Sequence, residues 1–378
     1  MTKLLKISIL CTIIILSILS CASRQSPYDK KQLKVIQQSE NFRDGEFVNI
    51  EKTRIMVDWG LFKAVWKRVF EGNDAEPDKK FILRRNKIKR VLNFDDKEFQ
   101  VAWLGHSTVL IKIEGKYFMT DPVWGKRASP LTWAGPKRFF NMVTELDDLP
   151  KISGVIISHD HYDHLDEYTI RKLAKRNIPF YYVPLGVGKY LVKWGVPESK
   201  IKEFDWWDQV VIENRYKIIS TPSKHFSGRA LTKRNQTLWS SWVIKTDKYS
   251  IYFSGDGGYS KEFKLIGDKY GPFDIAMLES GAYDKLWPDT HLGPKNVLKA
   301  YKDLRGKVLM PIHWGLFQLG THPWKEPAEK IIQYARENEV NLLLPKPGVV
   351  VDMRKTSNIS YWWRMDQNKS KIAYSDKK

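Results

Sequence analysis

Three of the chain's eight histidines fall within six residues, in the run His159-Asp160-His161-Tyr162-Asp163-His164. Imidazole and carboxylate are the ligands that a zinc-type cation takes where no thiolate is on offer. His159 and His161 alternate with Asp160, so in an extended segment both point to one side. Asp163 and His164 follow around the turn and can face a second ion. The apolar run Gly154-Val-Ile-Ile-Ser158 comes immediately before. A buried strand therefore delivers these groups at its C-terminal end, where layered α/β folds often hold their sites. The plain alternative is a polar loop that happens to hold three histidines.

The same arrangement recurs. Tyr216–Thr221 leads through Pro-Ser-Lys to His225, Ser250–Ser254 leads through Gly to Asp256, and Val308–Ile312 leads directly to His313. A lone histidine after a strand is more often satisfied by a backbone carbonyl, but four strands that all end in ligand-type residues are hard to dismiss. The other histidines read differently. His106, in Leu104-Gly-His-Ser-Thr, suits a residue that holds a ligand loop rather than a ligand. His322 follows no strand and reads as a surface residue. Lys137 and Arg138 are candidates to meet a phosphate, and Tyr283 is a candidate to line a cleft.

The elements that must position these groups lie mostly after residue 95. Short apolar strands, among them Phe99–Leu104, Thr108–Ile113, Tyr117–Thr120, Pro179–Val183, Leu238–Lys245, Ile275–Leu278 and Asn341–Leu344, alternate with amphipathic helices. The helix candidates are Glu167–Arg176, Val187–Trp194, Lys261–Lys269, Pro294–Leu304 and Pro327–Glu337. Interleaving of this kind predicts an α/β or layered α/β sandwich, with no internal repeat. Before it, residues 22 to about 40 are polar and basic and read as a tether. Arg54 to Phe70 reads as a helix whose apolar face (Met56, Trp59, Phe62, Trp66, Phe70) meets a core. The basic tail after Asp352 carries Tyr361, Trp362 and Trp363, expected to pack on the domain.

The chain starts with Lys3 and Lys6, an apolar run Ile7–Leu19, and Ser20-Cys21, a pattern that reads as a signal peptide. The run is shorter than the roughly 20 residues a bilayer span needs. Ile-x-Ser-Cys resembles the bacterial lipobox, with Leu19 a departure, so the resemblance makes Cys21 the lipidated first residue of an exported, membrane-anchored lipoprotein on the periplasmic or outer face. Ordinary cleavage or an uncleaved anchor are the alternatives. The only other cysteine, Cys11, lies in the apolar run, so no intrachain disulfide is expected and a metal site must use His and carboxylate. The formal charge of +20 suits an anionic lipid surface. No arginine-aromatic interleaving points to nucleic acid. The domain boundaries follow: 1–21 leader, 22–94 tether and N-terminal extension, 95–355 main α/β domain, 356–378 basic tail.

The order HxHxDH, His, Asp, His resembles that of the metallo-β-lactamase superfamily. The chain is similar in particular to the phospholipases D that hydrolyse N-acylphosphatidylethanolamine. WLGHSTVLI, TDPVWGKRASP, GPKRF, ISHDHYDHLD, DWWD, TPSKHFSGR, LWSSW, FSGDGGY, GPFDIAM, GAYDKLW and PIHWGLF carry the likeness over roughly residues 95–345. The resemblance implies an αββα four-layer sandwich with two zinc ions, other divalent metals being compatible with the same ligands. His159, His161 and His225 would hold one ion, Asp163, His164 and His313 the other, and Asp256 would bridge. It implies phospholipase D-type release of N-acylethanolamine and phosphatidate from a membrane phospholipid, with Asp163 and Asp256 at the reacting centre. His291, in Asp289-Thr-His291, would be an acid or orienting group, or simply the residue that opens a helix. It also implies homodimers. Another hydrolysis on the same site, of a lactone, an ester or a different phosphodiester, is the alternative, and a non-enzymatic metal- or lipid-binding surface lipoprotein is a third reading. Glu279-Ser280 and the short stretch from Asp284 to His291 depart from the family pattern and leave head-group and acyl-chain preference open.

Overall fold

Phe99–Gly105 (β3) and Thr108–Ile113 (β4) are buried at every position, the pattern of strands covered on both faces. The structure, a computed structural model, describes residues 30–57, 75–77, 83, 85, 98–229, 234–354 and 358–364. Before β3 it holds a helix, Lys30–Ile36 (α1), and the short pair Phe42–Arg43 (β1) and Glu46–Phe47 (β2). After β4 come Lys116–Thr120 (β5), Gly154–Ile156 (β6), Phe180–Pro184 (β7) and Ile201–Phe204 (β8). With Val350–Asp352 (β16) they form a seven-stranded sheet, ordered β16-β3-β4-β5-β6-β7-β8.

The second sheet has six strands. Gln209–Ile212 (β9), Tyr216–Thr221 (β10), Ser241–Lys245 (β11) and Ser250–Phe253 (β12) form an antiparallel meander, and Ile275–Glu279 (β13) and Leu309–Ile312 (β14) extend it in parallel. Parallel pairing needs crossovers, and helices supply all of those within the two large sheets except the one from β5 to β6, which is an irregular loop with a single 3-10 turn at Leu146–Asp148. Glu167–Leu173 (α2) joins β6 to β7, and Gly188–Lys193 (α3) lies between β7 and β8. Glu262–Tyr270 (α4) and Gly293–Asp303 (α5) serve β12-β13-β14 in the same way. A last helix, Glu326–Glu337 (α6), packs on α5 and precedes the short parallel pair Leu343–Leu344 (β15) and Asn358–Ile359 (β17). The result is a layered α/β sandwich, as expected: two mixed sheets packed face to face with helices on the outside. The Trp242 indole of β11 donates to the Ile157 carbonyl at the end of β6, 3.0 Å away, tying the sheets together next to the ligand turn.

Three expectations need revision. The tether is not featureless from residue 30 on: α1 forms, and Ile36 is buried with Phe47, Leu185, Trp206, Leu238 and Trp239 in a small second core. Leu33 and Val35 of the helix stay exposed, and Ile36 alone of its apolar residues is buried, in the cluster that holds the Trp206–Trp239 pair. The helix expected from Arg54 does not start there, since Arg54–Val57 is irregular and bonded to the domain, and the rest of that stretch lies outside the described residues. Strands β8, β9 and β16 were not anticipated. β8 and β9 are sheet edges, and their partly exposed positions carry Lys202, Glu203 and Gln209, which break the apolar signal.

The tail packs on the domain as far as Arg364. Trp362 and Trp363 are buried, and Trp362 lies 6.1, 5.7 and 6.2 Å from the rings of Trp103, Trp314 and Trp324. Among the described residues no helix is long and apolar enough to cross a membrane. Cys21 and the leader lie outside the described residues.

Candidate metal centre

Each candidate ligand leaves a strand at the edge shared by the two sheets. β6 ends just before Ser158-His159, β10 before the loop to His225, β12 before Gly255-Asp256, and β14 before His313. The turns are made for close approach. Gly255 has φ +56°, and a Cβ there would sit 2.5 Å from the Ser158 Cβ, so only glycine fits. His106 and His313 also adopt positive φ, 54° and 61°, and the His313 N–H donates to the His106 carbonyl at 3.0 Å. Backbone strain of this kind, which costs about 1–3 kcal/mol per residue, persists where surrounding structure enforces it.

The geometry gathers seven side chains around two centres. Ligand atoms about 2.1 Å from one tetrahedral ion lie about 3.4 Å from each other. His159 Nε2 is 2.8 Å from His161 Nδ1, which is 3.3 Å from His225 Nε2. Asp256 Oδ2 is 3.9 and 3.8 Å from His159 Nε2 and His225 Nε2. On the other side His164 Nε2 is 3.2 Å from Asp163 Oδ2 and 3.1 Å from Asp256 Oδ2. His313 Nε2 is 3.1 and 3.0 Å from the same two oxygens. One carboxylate oxygen of Asp256 thus belongs to both groups, and its other oxygen, buried, has no hydrogen-bond partner. Spacing, donor type and the unpartnered oxygen together fit a pair of divalent cations.

Three of the five ligand rings, those of His159, His164 and His225, are held from behind. Asp121 Oδ2 is 2.7 Å from His164 Nδ1, and the Asp121 carboxylate also accepts from the Ser158 N–H and hydroxyl, at 2.7 and 2.6 Å. Ser158 Oγ lies 2.8 Å from His159 Nδ1. Nδ1 of His225 donates to the Thr290 carbonyl at 2.9 Å. His106 Nε2 is 2.9 Å from Asp163 Oδ2, so His106 holds a ligand carboxylate. Partners of this kind fix tautomer and orientation. Asp121 and Asn49 were not anticipated. The Asn49 carboxamide bonds both the N–H and the carbonyl of His225, at 3.0 and 2.7 Å.

Without a cation the charges are balanced within the cluster. Burial alone would push His164 and His313 down, but Asp256 and Asp163 pull both above the usual imidazole value, His313 to about 9. Asp163 and Asp256 stay well below the usual carboxylate range, because His164 and its neighbours outweigh burial. His159 and His225 are held well below the usual value by burial.

The remaining candidates divide. His291 stands at the rim of the cluster, its ring 5.3 Å from those of both His225 and His313. Tyr283 gives its hydroxyl to Glu326 at 2.5 Å and stacks its ring on His322 at 4.3 Å. His322 is therefore half-buried rather than a surface residue. Arg138 turns inward, buried, with Nη2 donating to the Val123 carbonyl at 3.1 Å, and burial lowers its guanidinium to about 10. It does not offer a surface phosphate contact. Lys137 is exposed, and its backbone pairs with Arg127 at the edge of a cavity of about 950 Å³. Tyr162 of the ligand turn lines this cavity with Trp124, Tyr168, Tyr190, Trp194 and Arg229.

Residues 116–314 match the family model described as "Beta-lactamase superfamily domain". An uncharacterized protein of Mycobacterium tuberculosis is 40% identical over 336 residues, 88% of this chain and 89% of that protein. The N-acyl-phosphatidylethanolamine-hydrolyzing phospholipase D 1 of Caenorhabditis elegans is 33% identical over 326 residues, 80% of this chain and 90% of that protein. Among solved structures, a metallo hydrolase from Ignicoccus hospitalis superposes with a TM-score of 0.52 at 21% identity, over 67% of this chain and 97% of its own. An isothiocyanate hydrolase from Delia radicum gut bacteria gives 0.53 at 19%, over 67% and 98%. These two bear on the fold alone.

Proposed function

From the premise that the chain belongs to the metallo-β-lactamase superfamily and is a metal-dependent hydrolase, we propose that it cleaves a phospholipid phosphodiester in the manner of a phospholipase D. The substrate in this reading is an N-acylphosphatidylethanolamine, and the products are N-acylethanolamine and phosphatidate. The observation that carries it is the two-centre His/Asp cluster itself; a cavity of about 950 Å³ adjoins the ligand turn through Tyr162, and none of the seven ligands lines it. Pockets for drug-sized ligands run to about 1,000 Å³, and aromatic rings interspersed with arginine suit an apolar chain with an anionic head. The relative named as a phospholipase D supports the same choice.

His159, His161 and His225 would hold one zinc ion and Asp163, His164 and His313 the other, with Asp256 between them. Two such ions acidify water toward neutral pH and draw charge off phosphoryl oxygens. The chain's own residues do the rest. Asp121, Ser158, Thr290, His106 and Asn49 fix the ligand rings and loops, so little reorganisation accompanies the reaction. A bond forms between the water oxygen and phosphorus, and the bond from phosphorus to the ethanolamide oxygen breaks. One water proton ends on that leaving oxygen, and in this reading His291 at the rim hands it over. The leader and Cys21 fit an exported, lipid-anchored form of the enzyme that meets its substrate in the membrane.

The test uses the protein starting after Cys21. About two metals per chain and chelator-sensitive release of N-acylethanolamine, with ordinary phosphatidylethanolamine as the comparison substrate, are the expected results. Two metals without lipid hydrolysis would overturn the substrate assignment and turn attention to other phosphodiesters and lactones.

A further inference from the structure

β13 is apolar from Ile275 to Leu278 and then ends on Glu279, a carboxylate with no solvent exposure. Burying a carboxylate is costly unless hydrogen bonds compensate. Oε1 accepts from the Leu292 backbone N–H. Oε2 lies 3.6 Å from Nδ1 of His291, and neither of these two buried atoms has a hydrogen-bond partner. A small rotation of the imidazole closes that gap. A ring nitrogen of His291 also lies within 4.8 Å of the ligand atoms of Asp256 and His313.

The segment that carries His291 is pinned on every side. The Thr290 carbonyl takes the Nδ1 proton of His225. The Asp289 carboxylate accepts from the Arg54 N–H and guanidinium, at 3.0 to 3.1 Å. A Cβ on Gly258, in the loop after Asp256, would meet the Asp289 carbonyl at 1.9 Å. The backbone of residues 289–292 is thereby fixed, and the rotation of the His291 ring is what remains to be set.

We propose that Glu279 is a positioning residue for His291: it receives the Nδ1 proton and leaves Nε2 as the nitrogen presented to the substrate. The arrangement is that of a carboxylate orienting a histidine from behind. This inference rests on the reading that His291 meets the leaving oxygen. The same carboxylate fixes the adjacent Leu292 N–H, so backbone and ring are set by one group.

The experiment pairs Glu279→Gln with His291→Ala in the metal-loaded protein. Glutamine keeps an oxygen for Leu292 but changes what faces Nδ1. Glu279→Gln should lower kcat about 10- to 100-fold while KM and metal content hold, and the double variant should be no worse than His291→Ala alone. Losses that multiply, as for independent sites, would overturn the proposal. Histidine-ring ¹H–¹⁵N correlation spectra give a readout without turnover. The wild type should show an exchange-protected Nδ1 proton that disappears in His291→Ala and moves in Glu279→Gln, and its absence from the wild type would overturn the proposal even if Glu279→Gln fails to fold. If the wild type cleaves no phosphodiester, the phospholipid reading falls, and the ring resonance alone decides the role of Glu279.

Discussion

Asn49 grips His225 by its backbone. Its Nδ2 donates to the His225 carbonyl at 2.7 Å and its Oδ1 accepts from the His225 N–H at 3.0 Å. The same oxygen is 3.2 Å from the Trp239 indole nitrogen. A residue 176 positions upstream thus fixes the loop that brings one imidazole into the cluster. Asn49→Ala should weaken metal binding about 10- to 100-fold, with little change in fold content. Competition with a chromophoric chelator measures this, and unchanged affinity would show that the loop holds itself.

Asp256 Oδ2 is a carboxylate oxygen that lies within 3.9 Å of ligand nitrogens from both groups. Asp256→Ala should abolish hydrolysis and leave about one tightly held metal per chain in place of about two. Metal analysis after gel filtration, together with the lipid assay, checks both. Full activity in the variant would rule out the bridging role.

Protons and metal compete for the same nitrogens. In the metal-free protein Asp256 and Asp163 hold His313 at about 9 and His164 well above the ordinary value, so both rings carry a proton at neutral pH. Metal binding must expel those protons. Apparent affinity should therefore rise with pH through the neutral range. Calorimetry in buffers of different ionisation enthalpy should register proton release, and a pH-independent affinity would contradict this charge balance.

If Cys21 carries the lipid, Cys21→Ser should release the full-length protein from membranes into the soluble fraction. Fractionation followed by immunoblotting reads the result. Continued membrane retention would point instead to an uncleaved apolar anchor.

The ligand set was legible because it is local and repeated: an apolar run that stops at a histidine or aspartate reads the same way at His159, His225, Asp256 and His313. The residues that aim the ligands carry no such mark. Asp121 closes an ordinary strand and reaches Ser158, 37 positions on, only through the parallel pairing of β5 and β6. Asn49 sits in a polar stretch whose composition resembles a linker. Glu279 stood out only as a misfit in an apolar strand, and the packing of residues 289–292 gives it a partner. Arg138 failed in the opposite direction, because a basic residue in a basic chain says nothing about which way its side chain turns.

Trp362 completes a wall whose other faces come from Trp103, Trp314 and Trp324. Trp103 also donates its indole N–H to the carbonyl of His106, the residue whose ring holds Asp163. The last of the seven ligands, His313, precedes Trp362 by 49 positions (362 − 313). A chain cut off between Leu344 and Trp362 would carry every metal-binding side chain and leave Trp103, Trp314 and Trp324 without the indole they share.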